Sequence, residues 1–303
     1  MRGIELVEVG PRDGLQNESL IVSTSDKVAL VERTLAAGIR RIEVASFVNA
    51  RRVPQMADAE AVIAALPARA DATYIGLVLN LRGAERALVT KVDELGAVCV
   101  ASDSFALRNQ GQTSAQSVQS ARDIVMMARQ AGRGAQVTIG AAFGCPFEGF
   151  VSPDHVVAMA IALAEAAPRE IALADTIGMA VPAEVTALVT RVRAAVPGIP
   201  IRCHFHDTRN TGIANVWAAV EAGAATIDVS LGGLGGCPFA PGAAGNVSTE
   251  DVQYLLQRSG VATGVDLGML IDASRWFTDI MGKPLPSMVA RAGGFPLTRQ
   301  SEL

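Results

Sequence analysis

Eight short runs rich in Val and Ile alternate with segments of helical periodicity along this chain, and few folds accept that pattern. The runs are residues 4–9, 41–46, 73–79, 97–101, 136–143, 170–175, 201–206 and 226–231. Between them, apolar residues recur at helical spacing over residues 25–37, 57–66, 82–95, 114–131, 153–166, 182–196 and 213–222. Strands that each feed a helix describe an α/β protein with the (β/α)8 TIM barrel architecture. Punctuation agrees with it. Gly38, Gly96, Gly132 and Gly223 stand where helices would close, Ser25 and Thr113 or Ser114 where helices would be capped, and Pro153 and Pro182 where a first turn tolerates proline. No linker-like stretch divides the chain, so residues 1–303 read as one domain. The barrel spans about 4–245, and a short helical extension over about 246–303 carries helical periodicity at 249–260 and 267–281. A doubly wound open sheet is the competing arrangement, but no Gly-x-Gly-x-x-Gly follows any run and there is no Walker loop.

Half of the residues are hydrophobic and 18% are charged, which provides for a large buried core. The net charge of −4 and the scatter of Lys and Arg argue against a nucleic-acid or membrane partner and favour small-molecule chemistry. No apolar run is long enough to span a bilayer, and the first strand begins almost at Met1 without the features of a signal peptide, so a cytoplasmic protein is expected. Cys99, Cys145, Cys203 and Cys237 stand far apart with no Cys-x-x-Cys, which speaks against a zinc ribbon or a disulfide framework.

In a barrel the chemistry gathers where strands end. Side chains alternate along a strand, so His204 and His206 point the same way, with Arg202 in phase and Cys203 out of phase beside Phe205. Paired imidazoles on one strand face suit a metal ion; a satisfied polar pair at a strand end is the other reading. Strand one runs into Gly10 and Pro11, which would end it and let both Arg12 and Asp13 reach the mouth, as oxyanion stabiliser and oxygen ligand, or else form a surface turn. Glu43, Ser46, Asn80, Cys145 and Asp175 also stand at strand ends, and several carboxylates and imidazoles converging on one mouth would be costly without a cation. Thr226, Asp228 and Ser230 alternate on strand eight and, with Glu8, read as a hydrogen-bonded interior layer. The glycine-rich stretch from Gly232 to Gly245 suits a mobile lid better than a phosphate cradle, because no Lys-Ser/Thr follows it. Cys237 lies on that stretch, where a reactive role is expected, and Asn246 offers a neutral amide oxygen to a hard metal.

Taken together these segments resemble the 3-hydroxy-3-methylglutaryl-CoA lyase family. The resemblance is carried by Val9-Gly10-Pro11-Arg12-Asp13-Gly14-Leu15-Gln16-Asn17-Glu18, by Ile42-Glu43 with Ser46-Phe47-Val48, and by Val53-Pro54-Gln55-Met56. It continues through Gly144-Cys145-Pro146 with Glu148-Gly149, Asp175-Thr176-Ile177-Gly178, His204-Phe205-His206-Asp207-Thr208 and Gly233-Leu234-Gly235-Gly236-Cys237-Pro238. It runs in order from about Glu5 to about Gly264, and the glycine-rich cysteine loop selects the lyase branch of a wider superfamily of metal-dependent barrel enzymes.

The resemblance implies a divalent cation, Mg or Mn, held by Asp13, His204, His206 and Asn246, a CoA thioester as substrate, and a homodimer. The implied reaction is a retro-Claisen cleavage of a tertiary 3-hydroxyacyl-CoA to an oxo acid and acetyl-CoA. Arg12 would stabilise the enolate, Glu43 would orient Arg12 or ordered water, and His204 or Asp175 would serve as base. Cys237 would help protonate the acetyl-CoA carbanion, and Gln16 and Ser46 would contact substrate. Two segments depart from the family. Arg209-Asn210 replace Tyr-Gly, and Ser104-Phe105-Ala106-Leu107-Arg108-Asn109 carry Ala-Leu-Arg-Asn where Thr-Lys-Lys-Asn is usual after the Phe. These departures make Arg209 and Asn210 candidate readers of the acyl group and leave citramalyl-CoA, or a longer 3-substituted glutaryl-CoA, as alternatives to hydroxymethylglutaryl-CoA. A condensing synthase predicts a longer C-terminal region, and a non-catalytic binding protein predicts loss of a ligand or of Arg12.

Overall fold

The computed structural model describes residues 3–236 and 245–295. Eight parallel strands close into a barrel in sequence order, β1 (Glu5–Glu8), β2 (Arg41–Ser46), β3 (Thr73–Val78), β4 (Glu94–Val100), β5 (Gly134–Gly140), β6 (Ile171–Asp175), β7 (Ile201–Phe205) and β8 (Thr226–Val229), with β8 pairing back onto β1. The crossovers are α1 (Thr24–Ala36), α2 (Ala59–Ala65), α3 (Leu81–Leu88), α4 (Asp103–Gln110), α5 (Ser114–Gln130), α6 (Pro153–Ala164), α7 (Pro182–Ala195) and α8 (Gly212–Ala222). Beyond β8 lie α9 (Thr249–Arg258), α10 (Leu267–Met281) and the short α11 (Met288–Ala292), the last in a stretch without sequence signal. Among the described residues no helix is long and apolar enough to cross a membrane.

Local chemistry explains most boundaries. Thr113 accepts from Gln116 N while Gln116 reaches back to Thr113 N, a capping box that starts α5. Pro153 and Pro182 occupy first turns, where a missing N–H costs nothing. Gly38, Gly132 and Gly223 take the left-handed conformation just past α1, α5 and α8. Ser25 is not a cap, because Ser23, two residues earlier, accepts from Asp26 N.

Gly96 does not close a helix either. The third helix stops at Leu88, and Gly96 lies inside β4, in register with Leu77 and Gln136. Glu94, inside the stretch read as helical, is a strand residue whose buried carboxylate accepts from Arg41 Nη2 at 2.7 Å. A Cβ on Gly96 would come within 3.4 Å of Glu43 Oε2, so glycine here makes room for a side chain of the mouth.

The main apolar core fills the shell between barrel and helices, and a much smaller cluster of Val7, Val9 and Ile75 sits inside the barrel. Most of the interior is instead polar. At its N-terminal end Arg41 bonds to Glu5 (2.8 Å), Glu94 (2.7 Å) and Glu170 (2.8 Å). Glu8 departs from the expected interior layer. It is in register with Ile42 and Val229, which pack outward, and its carboxylate accepts from Gly10 N, Leu231 N and Thr249 Oγ1 at 2.7–2.8 Å. The first turn of α9 is thereby tied to the end of β1.

Candidate active site

After Glu8 the chain leaves β1 in a π-helical turn, Gly10–Gly14, in which Arg12 N and Asp13 N both donate to Val9 O. Because the strand has ended, neighbouring side chains need not oppose each other, and Arg12 and Asp13 both enter the mouth. Asp13 Oδ2 lies 3.9 Å from His204 Nε2 and 3.9 Å from His206 Nε2. One ligand atom each from Asp13, His204 and His206 falls within 4.8 Å of the others. The isolated bridge between His206 and Asn246 brings the fourth expected ligand alongside. Asn246 Nδ2 donates to Asp13 Oδ2 (2.9 Å) and Leu234 O (3.1 Å), while its Oδ1 is buried without a hydrogen bond.

Charge fixes the state of each group. Burial would raise the Asp13 carboxyl, but Arg12, then His204 and His206, hold it well below the ordinary carboxylate range. Burial together with the charge of His204 pushes His206 down to about 4, so it is a neutral imidazole near pH 7, the form that binds metals. For His204 burial is outweighed by the bond to Asp228 and the charge of Asp13, which move its pKa up. His204 Nδ1 sits 3.1 Å from Asp228 Oδ2, which assigns the proton to Nδ1 and leaves Nε2 facing Asp13. Arg12 bonds through its guanidinium to both Glu43 and Asp13.

The donor set suits a hard or borderline divalent cation: a carboxylate, two imidazole nitrogens and an amide oxygen, with no thiolate among the described residues. Two buried atoms here, Asn246 Oδ1 and His206 Nδ1, have no hydrogen bond. From base to mouth the barrel also sets six carboxylates (Glu5, Asp13, Glu43, Glu94, Glu170, Asp228) against four guanidiniums (Arg12, Arg41, Arg169, Arg202). That imbalance disfavours full ionisation in a dry interior unless a cation offsets it.

Arg12, Asp13, Glu43, Arg202, His204, His206 and Asp228 form the floor of a cleft of about 1250 Å3 that also takes in Gln16 and Asn80, whereas Asn246 borders a smaller neighbouring cavity. Four arginines, Arg52, Arg82, Arg86 and Arg108, stand along its walls. Sequence reasoning did not assemble them: Arg82 and Arg86 stand one turn apart on α3, but Arg52 and Arg108 come from separate segments. It also left Asp228 as a structural layer, although its alternation with Thr226 was the available signal.

Several expected site residues are placed elsewhere. Asp175 is in register with Phe205 on the outer face of the sheet, and its carboxylate accepts from Met179 N (2.9 Å) and Ala180 N (3.0 Å). The cleft lining does not include it, so the structure does not bring this candidate base to the mouth. Ser46 is fully buried with an unbonded hydroxyl and is likewise absent from the lining. Arg209 Nη1 donates to the carbonyls of Ile177 and Gly178, and with Asn210 and Asn246 it borders a second, smaller cavity of about 310 Å3. Neither residue lines the cleft. Asn210 has φ +58°, a conformation that Asn tolerates and glycine prefers, so Asn for Gly at this site preserves the backbone. Cys237 lies outside the described residues.

The HMGL-like family model matches residues 3–276. The (R)-citramalyl-CoA lyase of Chloroflexus aurantiacus is 44% identical over 97% of this chain and 96% of its own. The hydroxymethylglutaryl-CoA lyase YngG of Bacillus subtilis is 38% identical over 94% of this chain and 95% of its own. Among solved structures, an HMG-CoA lyase from Acinetobacter baumannii in complex with coenzyme A and 3-methylmalate superposes with a TM-score of 0.92 at 39% identity, covering 98% of this chain and 97% of that one.

Proposed function

The chain belongs to the HMGL-like family, and from that premise we propose that it is a divalent-metal-dependent lyase that cleaves 3-hydroxy-3-methylglutaryl-CoA to acetoacetate and acetyl-CoA. The observation that carries the reading is the convergence of Arg12, Asp13, His204 and His206 on the floor of one cleft. Citramalyl-CoA, cleaved to pyruvate and acetyl-CoA, is the second reading, favoured by the 44% identity to the Chloroflexus enzyme.

Asp13, His204, His206 and Asn246 would hold the ion, Mg or Mn in this proposal. Bound there, a divalent cation supplies Lewis acidity that lowers the pKa of a hydroxyl. The 3-hydroxyl loses its proton, the bond between C2 and C3 breaks, and its electron pair moves onto the thioester as an enolate. Arg12 lies at the cleft floor, locked by Glu43 and Asp13, and would meet the enolate oxygen with a fixed positive charge. For the hydroxyl proton His204 is favoured over the outward-facing Asp175. Asp228 occupies Nδ1, so His204 offers only Nε2 and serves either as ligand or as base; where it takes the proton, Asp13, His206 and Asn246 would be left to hold the ion. Cys237 is retained from the family resemblance as proton donor to the acetyl-CoA carbanion. The wall arginines would receive the phosphates of coenzyme A, with Arg108, 4.3 Å over the Phe147 ring, nearest an aromatic surface. The proposed active species is a cytoplasmic homodimer in which residues 1–303 act as one unit.

The test is incubation with a panel of 3-hydroxyacyl-CoA esters and Mg or Mn, identifying the oxo acid released. Acetoacetate is expected, with activity lost on chelation and restored by the ion. Pyruvate as the preferred product would replace the first reading by the second, and metal-free turnover would contradict the site.

A further inference from the structure

The helix α4 begins without a cap of its own. Ser102 holds the N-cap position, yet its hydroxyl makes no bond to the first turn and donates instead to Cys145 Sγ at 2.9 Å. The N–H of Ser104 in that turn is met from outside by Glu148 Oε1 at 2.6 Å, where a carboxylate also suits the positive end of the helix dipole. Both outside partners belong to one hairpin that follows β5. Cys145 N donates to Gly149 O (2.8 Å) and Gly149 N donates to Cys145 O (2.9 Å), which closes the hairpin at its base. Between these two residues the chain wraps around the buried sulfur, which accepts from Phe147 N (3.3 Å) and Glu148 N (3.4 Å). One sulfur thus meets the turn of the hairpin and the N-cap residue of α4.

What the sulfur holds faces the cleft. Phe147 packs edge-on against Phe105 of α4, with ring centroids 5.9 Å apart and planes at 75°, and Arg108, one turn further along α4, lays its guanidinium 4.3 Å over the Phe147 ring. Phe105, Arg108 and Phe147 all line the cleft. A loose arginine gives up rotamer freedom when it grips an anion, whereas one already stacked on an anchored ring has given it up beforehand. We propose that Cys145 is a positioning residue for thioester binding: its sulfur fixes the hairpin, the hairpin caps α4 and seats Phe147, and together they pre-order Arg108 for the nucleotide end of coenzyme A. The proposal rests on the assignment of the cleft walls to coenzyme A made above and deepens it. Cys145 itself does not line the cleft, so it acts only through Phe147 and α4. Carbon in place of the sulfur leaves Ser102 Oγ and two amide N–H groups without their acceptor, which frees the hairpin from the helix.

The test uses the full chain with two readouts: calorimetric binding of coenzyme A itself, and kinetics with one acyl group carried either on CoA or on N-acetylcysteamine, which lacks the nucleotide. Cys145→Ala should raise the Kd for coenzyme A and the KM for the CoA ester about 10-fold with kcat within about twofold, while kcat/KM for the N-acetylcysteamine thioester holds. Cys145→Ser, whose oxygen takes over the same bonds, should restore most of the affinity. Glu148→Ala removes only the outside cap of α4, at an exposed residue whose loss spares the core, and should raise the same Kd about threefold even if Cys145→Ala fails to fold. A wild-type Kd in both alanine variants, or an equal loss with the truncated thioester, overturns the inference. Failure of the wild type to bind coenzyme A would overturn it together with the wall assignment. Binding lost as expected, in a protein that turns over no ester, would uphold the positioning role and overturn the lyase reading instead.

Discussion

The two ends of the barrel interior carry similar residues and organise them in opposite ways. At the N-terminal end Arg41 bonds directly to Glu5, Glu94 and Glu170 at 2.7–2.8 Å, with only its Nε left unbonded. At the mouth Asp13 faces two imidazole nitrogens at 3.9 Å, too far to bond, and Asn246 Oδ1 and His206 Nδ1 are left buried and unbonded. Desolvated charges that meet directly hold a fold together; desolvated groups spaced around a gap are set for something that arrives. The contrast locates function better than charge density does, since both ends are dense.

The largest expected effects come from removing the arginine at each end. Arg12→Met should fold and bind metal yet lose about 100- to 1000-fold in kcat, as loss of an oxyanion donor does; turnover within tenfold of wild type would sink the proposed role. Arg41→Met strands buried carboxylates and should cost about 3–5 kcal/mol of stability in denaturant unfolding. If Arg41→Met instead lowered kcat at full stability, the division between the two ends would be wrong.

One step smaller is Asp228→Asn, which removes the charge behind His204 but keeps an oxygen for Nδ1. Partners of metal-bound histidines typically change affinity by about 10–100-fold. Calorimetric titration with Mn should therefore show weaker binding, and an unchanged Kd would mean that Asp228 serves only the barrel interior.

These distinctions were unevenly legible in the sequence. The eight strands announced themselves because each must bury Val and Ile on its outer face against helices, and the His204–His206 pair followed from parity within one strand. Asp175 and Glu8 misled for a related reason. A polar residue near a strand end looks inward-facing, as a site residue for Asp175 and as an interior layer for Glu8, but its face depends on register with the neighbouring strand, which one sequence does not display. Arg52, the Arg82–Arg86 pair of α3 and Arg108 of α4 were invisible as a group because three separate segments bring them to one wall. Glu94 looked like the end of a helix until its partner, Arg41 across the barrel, supplied a reason for a charged strand residue.

Glu8 also provides a pH test on the seam between barrel and extension. Burial pushes its carboxyl up to about 7 from an ordinary 4.5, against the opposing bonds from Thr249, Leu231 and Gly10. The folded protein therefore retains a proton that the unfolded chain has released between those values. The stability this group contributes is complete below about pH 4.5 and is lost as pH rises through about 7. Gln mimics the protonated form: its carbonyl can accept from Gly10 and Leu231 and its amide can donate to Thr249. Glu8→Gln should thus match the wild type near pH 5 and exceed it at pH 8 by on the order of 1–3 kcal/mol. Parallel stability curves across that range would show that Glu8 is ionised throughout and that its three donors outweigh its burial.

The smallest effect is expected just outside the mouth, where sequence departure and geometry disagree. Arg209 and Asn210 replace Tyr-Gly directly after the His204–His206 strand, which made them candidates for setting substrate choice. In the structure Arg209 is occupied with the carbonyls of Ile177 and Gly178, and Asn210 holds φ +58° at the border of a separate cavity. Asn210→Gly should therefore leave kcat/KM for every acyl-CoA ester in the panel in its wild-type order. It relieves the left-handed strain of a non-glycine residue, but it also frees the unfolded chain, so the two terms oppose and the net change should stay within about 1 kcal/mol. A reordered substrate profile would mean that the loop after β7 reaches the bound acyl group, and the boundary between mouth and surface would have to move outward to include it.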